Sequence, residues 1–136
     1  MCAAPKVTPR PSPMVAIVDD DLAARRALSR MLRGASFRVA AFSGADELLD
    51  AFQDLRPECL VVDVALHGTS GPDLVERLRS TTECPPVIFV TGRLDVVPSL
   101  KQRGLSDVPL LQKPFEPSAL IGAIARALES GQTRHG

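Results

Sequence analysis

The sequence has no excess of charge of either sign. Sixteen basic and sixteen acidic residues cancel, and no run of Lys or Arg is longer than two. A nucleic-acid-binding domain normally carries a cluster of positive charge that contacts phosphates. We therefore expect no direct binding of nucleic acid by this chain.

Cysteine pairs, clustered histidines and long apolar runs are also missing. The three cysteines lack Cys-x-x-Cys spacing, and the two histidines lie far apart. This excludes a disulfide framework and argues against a zinc site. Apolar runs reach about five residues, against the ~20 needed to cross a bilayer, and no apolar signal segment begins the chain. We expect a cytoplasmic protein without membrane insertion.

A length of 136 residues is typical of one domain. Residues 1–13 are rich in proline and contain no acid, a composition that favours a disordered leader. Residues 131–136 follow a helical pattern that Gly131 could end, and they are predicted to form a flexible tail. The domain is therefore predicted to span residues 14–130, with no room for an output domain beside it.

Within this range, five apolar runs alternate with five amphipathic patterns. The runs are not alternating in polarity, which indicates strands buried on both faces. Two Ser-x-x-Asp pairs, Ser43 with Asp46 and Ser70 with Asp73, have the spacing of helix N-terminal capping boxes. Alternation of strand and helix predicts an α/β fold, a doubly wound parallel sheet between two helix layers. The predicted strands are 14–19, 38–42, 59–63, 86–91 and 108–112.

Polar side chains stand at the ends of four predicted strands. Asp19 and Asp20 end the first, Asp63 the third and Thr91 the fourth, and Lys113 follows the fifth. Each has an ordinary explanation, such as helix capping or a solvated strand end. Open parallel sheets, however, bind ligands at the carboxyl ends of their strands. Adjacent carboxylates there favour a metal site, because their repulsion is relieved by a cation.

Four short motifs carry a resemblance to a known family. In this order and spacing the chain resembles the receiver domain of bacterial two-component response regulators, the CheY-like superfamily, over about residues 14–130. The resemblance implies a flavodoxin-like (βα)5 fold with strand order 2-1-3-4-5. The motifs are Ile17-Val18-Asp19-Asp20-Asp21, Val61-Val62-Asp63, Val90-Thr91-Gly92 and Lys113-Pro114-Phe115.

The resemblance assigns a role to each acid. It makes Asp63 the phospho-acceptor, and it makes Asp19 and Asp20 the pair that holds Mg²⁺, or Mn²⁺ in its place, together with Asp63. The backbone carbonyl of Ala65 is implied as a further ligand, since hard cations prefer oxygen. Asp21 matches no metal ligand and is expected to support the first turn of the following helix.

The remaining matched residues are implied to contact the phosphoryl group. Lys113 would place its ammonium at the phosphoryl oxygens, Thr91 would donate its hydroxyl, and Gly92 would leave room for the group. The family also tends to have a cis peptide before the proline of its Lys-Pro pair, so we expect one at Lys113–Pro114.

The chain departs from the family pattern at Leu110 and at His67. Leu110 stands where an aromatic on the fifth strand usually takes part in switching. His67 replaces a common loop proline; it is either a solvated loop residue or a group that approaches the phosphoryl and positions water. Ala65 and Arg93 flank the implied phosphate entrance and are expected to tune the lifetime of the phosphoryl group.

The resemblance implies a regulator that takes a phosphoryl group from a sensor histidine kinase or a histidine phosphotransfer protein and acts on a downstream protein target. It would be no enzyme beyond its own phosphorylation and dephosphorylation. A phosphorelay shuttle, a fragment of a longer regulator and a degenerate receiver that only binds partners remain open. A magnesium-dependent phosphatase would need an acid two residues after Asp63, where Ala65 stands, and no glycine-rich nucleotide loop is present.

Overall fold

The architecture is described from a computed structural model, which covers residues 12–81 and 83–134. Five strands alternate with five helices and one short 3₁₀ turn, Leu94–Val96. The strands are β1 Met14–Val18, β2 Arg38–Phe42, β3 Cys59–Asp63, β4 Val87–Thr91 and β5 Leu110–Gln112. The helices are α1 Leu22–Gly34, α2 Ala45–Leu55, α3 Gly71–Thr81, α4 Val97–Gln102 and α5 Pro117–Arg134.

The strands form one parallel sheet in the order β2-β1-β3-β4-β5. This confirms the predicted fold class and strand order. The order reverses between β1 and β3, so the crevice at their carboxyl ends is where a doubly wound sheet binds its ligands.

Both faces of the sheet are covered, as the apolar runs predicted. Successive residues of a strand point to opposite faces, so Val15 and Ile17 pack toward α1 and α5, while Ala16 and Val18 pack toward α2, α3 and α4. All four are fully buried. The two layers hold β1 rigidly and fix the position where it ends.

Several element ends differ from the sequence predictions. The fifth strand begins at Leu110 instead of residue 108, although the Pro109 carbonyl already accepts a bond from the Phe89 N–H at 2.8 Å. Proline has no N–H to donate to a ladder, which accounts for the late start. Helix α5 continues past Gly131 to Arg134, so Gly131 does not end it. The predicted leader, apart from residues 12 and 13, and residues 135 and 136 of the predicted tail lie outside the described residues.

The two capping predictions had opposite outcomes. The Asp73 N–H donates to Ser70 Oγ at 3.2 Å, which confirms the cap of α3. Helix α2 instead has Gly44 as its N-cap, without a side-chain cap bond. Ser43 lies one residue earlier and bonds to Glu47 through its N–H and its hydroxyl, so the pairing with Asp46 was wrong.

In the described part of the chain, no helix combines the length and apolar character required to cross a membrane.

Candidate functional site at the carboxyl edge of the sheet

Three carboxylates meet where β1 and β3 end. The pairing of Val18 with Val62 places the next residues, Asp19 and Asp63, at the same level of neighbouring strands. One oxygen each of Asp19, Asp20 and Asp63 lies within 4.8 Å of the others. Asp19 is fully buried and Asp63 is 8% exposed. The sequence analysis predicted these three acids together, and the structure brings them together.

Lys113 directly follows β5, the edge strand of the sheet, and its side chain extends to this cluster. Its Nζ donates to Asp19 Oδ2 at 2.8 Å and to Asp63 Oδ2 at 3.0 Å. Its backbone N–H donates to the Thr91 carbonyl at 2.7 Å, and the Lys113–Pro114 peptide is cis, as expected. The ammonium therefore compensates two carboxylates that are 94 and 50 residues away in sequence.

Burial and neighbouring charges have opposite effects on the pKa values of Asp63 and Lys113. Burial raises the pKa of Asp63, and the Ala65 N–H and Lys113 only partly offset it, so the pKa lies above its ordinary value. Burial lowers the pKa of Lys113, but the bonds and charges of Asp19 and Asp63 outweigh it and the net direction is upward. An ammonium between two carboxylates gains more from its partners than it loses by desolvation.

Neighbouring residues hold Asp19 in place through hydrogen bonds. The Asp21 N–H donates to Asp19 Oδ1 at 2.9 Å, and Arg25 Nη1 donates to the Asp19 carbonyl at 2.8 Å. Asp21 itself caps α1, since its carboxylate accepts the Ala23 N–H at 3.1 Å. Asp21 thus supports the first turn, in line with its predicted helix role.

Asp63 is held by the loop that follows it. The Ala65 N–H donates to Asp63 Oδ1 at 2.9 Å, and the Ala65 side chain is exposed. The Ala65 carbonyl is predicted to be a metal ligand, whereas the bond in the structure involves the N–H of the same residue. Ala65 therefore lies next to Asp63, with which it is predicted to hold the metal ion.

Thr91 lies at the same edge but its hydroxyl faces its own loop. Thr91 is 1% exposed, its Oγ1 accepts the Arg93 N–H at 3.0 Å, and it donates to the Arg93 carbonyl at 3.1 Å. Gly92 is exposed, and a Cβ built on it would meet nothing within 4 Å. The space predicted at Gly92 is present, while the Thr91 hydroxyl is engaged elsewhere.

Arg93 points its guanidinium at Asp95. Its Nε and Nη2 donate to the two carboxylate oxygens at 3.2 and 2.6 Å, and both side chains are mostly exposed. This pairing raises the pKa of Arg93 and lowers that of Asp95. Arg93 is thus held beside the site by a partner that the sequence analysis did not single out.

His67 contacts one of the three acids. Its backbone N–H donates to Asp20 Oδ2 at 3.1 Å, and its ring Nδ1 lies 2.5 Å from the same oxygen. The ring is 96% exposed. The exposed ring agrees with the prediction of a solvated loop residue, while the contact with Asp20 was not predicted.

This geometry agrees with the comparison to known families. The model of the response regulator receiver domain matches residues 15–125. The chain belongs to the response regulator receiver domain family. The acidic cluster, Lys113 and Thr91 therefore lie within a receiver domain.

Curated proteins with a sequence similar to this chain include two from one organism. Nodulation protein W of Bradyrhizobium diazoefficiens is 34% identical over 89% of this chain and 53% of that protein. Transcriptional regulatory protein FixJ of the same organism is 34% identical over 85% of this chain and 57% of that protein. The chain thus spans about half the length of the curated relatives it matches.

A solved structure supports the same fold. The chemotaxis protein CheY4 of Vibrio cholerae superposes with a TM-score of 0.75 and 26% identity, covering 86% of this chain and 99% of that one. The agreement extends over the entire relative, so this receiver has the architecture of that chemotaxis protein.

One residue that shapes the receiver site was not found from the sequence. A Cβ built on Gly71 would lie 2.4 Å from the Asp63 carbonyl oxygen and 3.0 Å from Val64 Cα. The Gly71 N–H also donates to the Val64 carbonyl at 3.2 Å. The start of α3 therefore packs directly on the backbone at the end of β3. A lone glycine carries no sequence signal for such a close approach, which depends on how the loop between β3 and α3 folds back.

The residues present fit a hard divalent cation. The donors are oxygens from three carboxylates, the set that Mg²⁺ prefers, and two of them come from buried or nearly buried acids. Three acids facing one ammonium leave negative charge at the edge of the sheet, which favours a cation.

Proposed function

We propose that this receiver accepts a phosphoryl group on Asp63 from a phosphohistidine of a sensor histidine kinase or a histidine phosphotransfer protein. The observation that carries the proposal is Lys113 Nζ bonded to both Asp19 and Asp63 at the switch point of the sheet. Asp19, Asp20, Asp63 and the Ala65 carbonyl would hold Mg²⁺, or Mn²⁺ in its place. When bound, the ion would neutralise charge on the transferring group.

The chemistry proposed for Asp63 is a nucleophilic substitution at phosphorus. A carboxylate oxygen forms the O–P bond while the N–P bond of the phosphohistidine breaks, and its electron pair leaves with the imidazole nitrogen. The product is an acyl phosphate on Asp63. Water later attacks the phosphorus, the O–P bond to Asp63 breaks, and inorganic phosphate leaves as the carboxylate is restored. The chain would thus act only on its own phosphoryl group.

Lys113 and Thr91 would stabilise the phosphoryl oxygens in different ways. Lys113 offers a compact ammonium that already stands at Asp63. The Thr91 hydroxyl would have to leave the Arg93 carbonyl, to which it now donates, before it could donate to a phosphoryl oxygen. Gly92 offers open space beside it. This exchange of partners would couple phosphorylation to the loop before α4.

The output is proposed to be a contact with a downstream protein. Leu110, half-buried on β5, lies where an aromatic switch residue would be expected, so the output would depend on other packing changes. An interaction-only receiver would not need the complete set of acids and Lys113, which favours phosphoryl acceptance. A histidine kinase makes its phosphohistidine from ATP, so we assign the receiver to the cytoplasm.

The test is transfer from a small phosphodonor. Acetyl phosphate and Mg²⁺ are added, and the intact mass is measured for the parent, for Asp63→Asn and for Asp50→Asn, a matched change of an exposed acid on α2. We expect one phosphoryl mass on the parent and on Asp50→Asn, and none on Asp63→Asn. An unlabelled parent, under conditions that label another receiver, would overturn the proposal.

A further inference from the structure

The three carboxylates of the cluster do not share the same donors. Lys113 Nζ bonds to Asp19 and to Asp63, and buried strand ends position both acids. Asp20 lies one residue beyond Asp19, and its side chain is 22% exposed. Among the described residues, its donors come from His67 instead. Asp20 is therefore the acid that Lys113 does not hold and that the loop residue His67 contacts.

His67 bonds to Asp20 through two separate groups. The backbone N–H and the ring Nδ1 both address Asp20 Oδ2, across 47 residues of sequence. A neutral imidazole can carry its proton on Nδ1, so this contact requires no charge on the ring. Proline, the residue that the common loop pattern carries here, has no N–H and could make neither contact.

We propose that His67 is a positioning residue for the divalent-cation site. It holds Asp20 Oδ2, restricts rotation of the carboxylate and leaves the other oxygen for the ion. Groups that hydrogen-bond a metal ligand commonly change metal affinity by about 10- to 100-fold when they are removed. Because the ring of His67 is 96% exposed and water competes for its bond, we expect an effect near the lower end. This inference rests on the cation site in the proposed function.

The test measures Mg²⁺ affinity of the unphosphorylated protein by isothermal titration calorimetry at one fixed pH. Four variants are compared with the parent. His67→Ala removes the ring contact, His67→Asn keeps a side-chain N–H donor at a similar reach, and His67→Pro removes both donors. Thr69→Ala is the control, since it changes the same loop and makes no hydrogen bond to Asp20 among the described residues.

We expect His67→Ala to raise the Mg²⁺ dissociation constant by about 10-fold, and His67→Pro to raise it further. His67→Asn should recover most of the affinity, and Thr69→Ala should match the parent. Unfolding midpoints in EDTA identify any variant that fails to fold. If His67→Pro unfolds, the Ala and Asn variants decide the question.

The outcomes separate this inference from the proposed function. A parent that binds no Mg²⁺ overturns the cation site and the role of His67 with it. A parent that binds Mg²⁺, with His67→Ala equal or tighter, overturns only the role of His67. The role also fails if Asp20→Asn binds as well as the parent, because Asp20 would then be no ligand.

Discussion

The two sides of this receiver site are prepared to different degrees. On the acidic side, formed by Asp19, Asp20 and Asp63, the carboxylates already converge within 4.8 Å and Lys113 already bonds to two of them. On the hydroxyl side, formed by Thr91, Gly92 and Arg93, the Thr91 hydroxyl and the Arg93 guanidinium are bonded to residues of the same loop.

The difference follows from what supports each side. Paired, buried strands fix Asp19 and Asp63. Thr91 also ends a buried strand, but its hydroxyl is bonded to Arg93, which lies on an exposed loop that leads into a short helix. A site fixed by a buried sheet is complete before its ligand arrives, while a loop can exchange its partners at small cost. We therefore infer that the acidic side binds the ligand first and that the hydroxyl side then exchanges its hydrogen-bond partners.

The largest effect is expected from removing the lysine that bonds to two carboxylates of the acidic side. Lys113→Ala deletes the ammonium between Asp19 and Asp63, so phosphorylation by acetyl phosphate should slow by roughly 100-fold. Two poorly exposed acids would also lose their partner, lowering the free energy of unfolding in EDTA by about 1–3 kcal/mol. Labelling rates and urea unfolding measure the two effects.

Mg²⁺ binding gives a second measurement of the role of Lys113. With one positive charge less at the cluster, Lys113→Ala should bind Mg²⁺ more tightly than the parent and regain part of its lost stability when the ion is added. Lys101→Ala, which removes an exposed lysine from α4, should behave as the parent. A Lys113→Ala protein with unchanged stability would contradict the account of the acidic side.

A smaller effect is expected at Gly71, which supports the acidic side from α3. Gly71→Ala places a Cβ 2.4 Å from the Asp63 carbonyl, so the backbone must shift, at a cost of about 1–3 kcal/mol in urea unfolding. Gly34→Ala is the matched control, because a Cβ there meets nothing within 4 Å. Equal losses in the two variants would show that close packing at Gly71 is not the cause.

The smallest effect is expected on the hydroxyl side. Arg93→Ala removes an exposed side chain beside the phosphate entrance, which should admit water and speed loss of the phosphoryl group by about two- to fivefold, the scale of one surface ion pair. Asp95→Asn should act in the same direction, since Asp95 holds the guanidinium. Arg77→Ala, an exposed change on α3, serves as control. Equal decay rates for Arg93→Ala and the parent would refute this role.

Much of the fold could be predicted from the sequence, because burial on two faces leaves a strong pattern. Runs such as Met14–Val18 and Cys59–Asp63 have the length and apolar character of central strands, and both are paired there. The strand order came from the family resemblance and was confirmed. Strand β5 was predicted too long, because its edge position weakens the pattern and Pro109 interrupts the ladder.

The site was predictable only where strand ends determine it. Asp19, Asp63 and Lys113 follow from the rule that parallel strands end at one edge, and they meet as expected. The contact of His67 with Asp20 joins residues 47 apart in sequence, and the approach of Gly71 to Asp63 depends on the path of the loop between β3 and α3. Loop paths depend on tertiary packing, so no local pattern predicts such contacts.

The most direct test of the central claim is the position of the phosphoryl group. The labelled protein is treated with borohydride, which reduces an acyl phosphate to an alcohol and converts the modified aspartate into homoserine, and its peptides are then sequenced by mass spectrometry. The account predicts homoserine at position 63 and unmodified aspartate at positions 19 and 20. Homoserine at either of those positions, or only aspartate at position 63 of a protein that carries the phosphoryl mass, would contradict it.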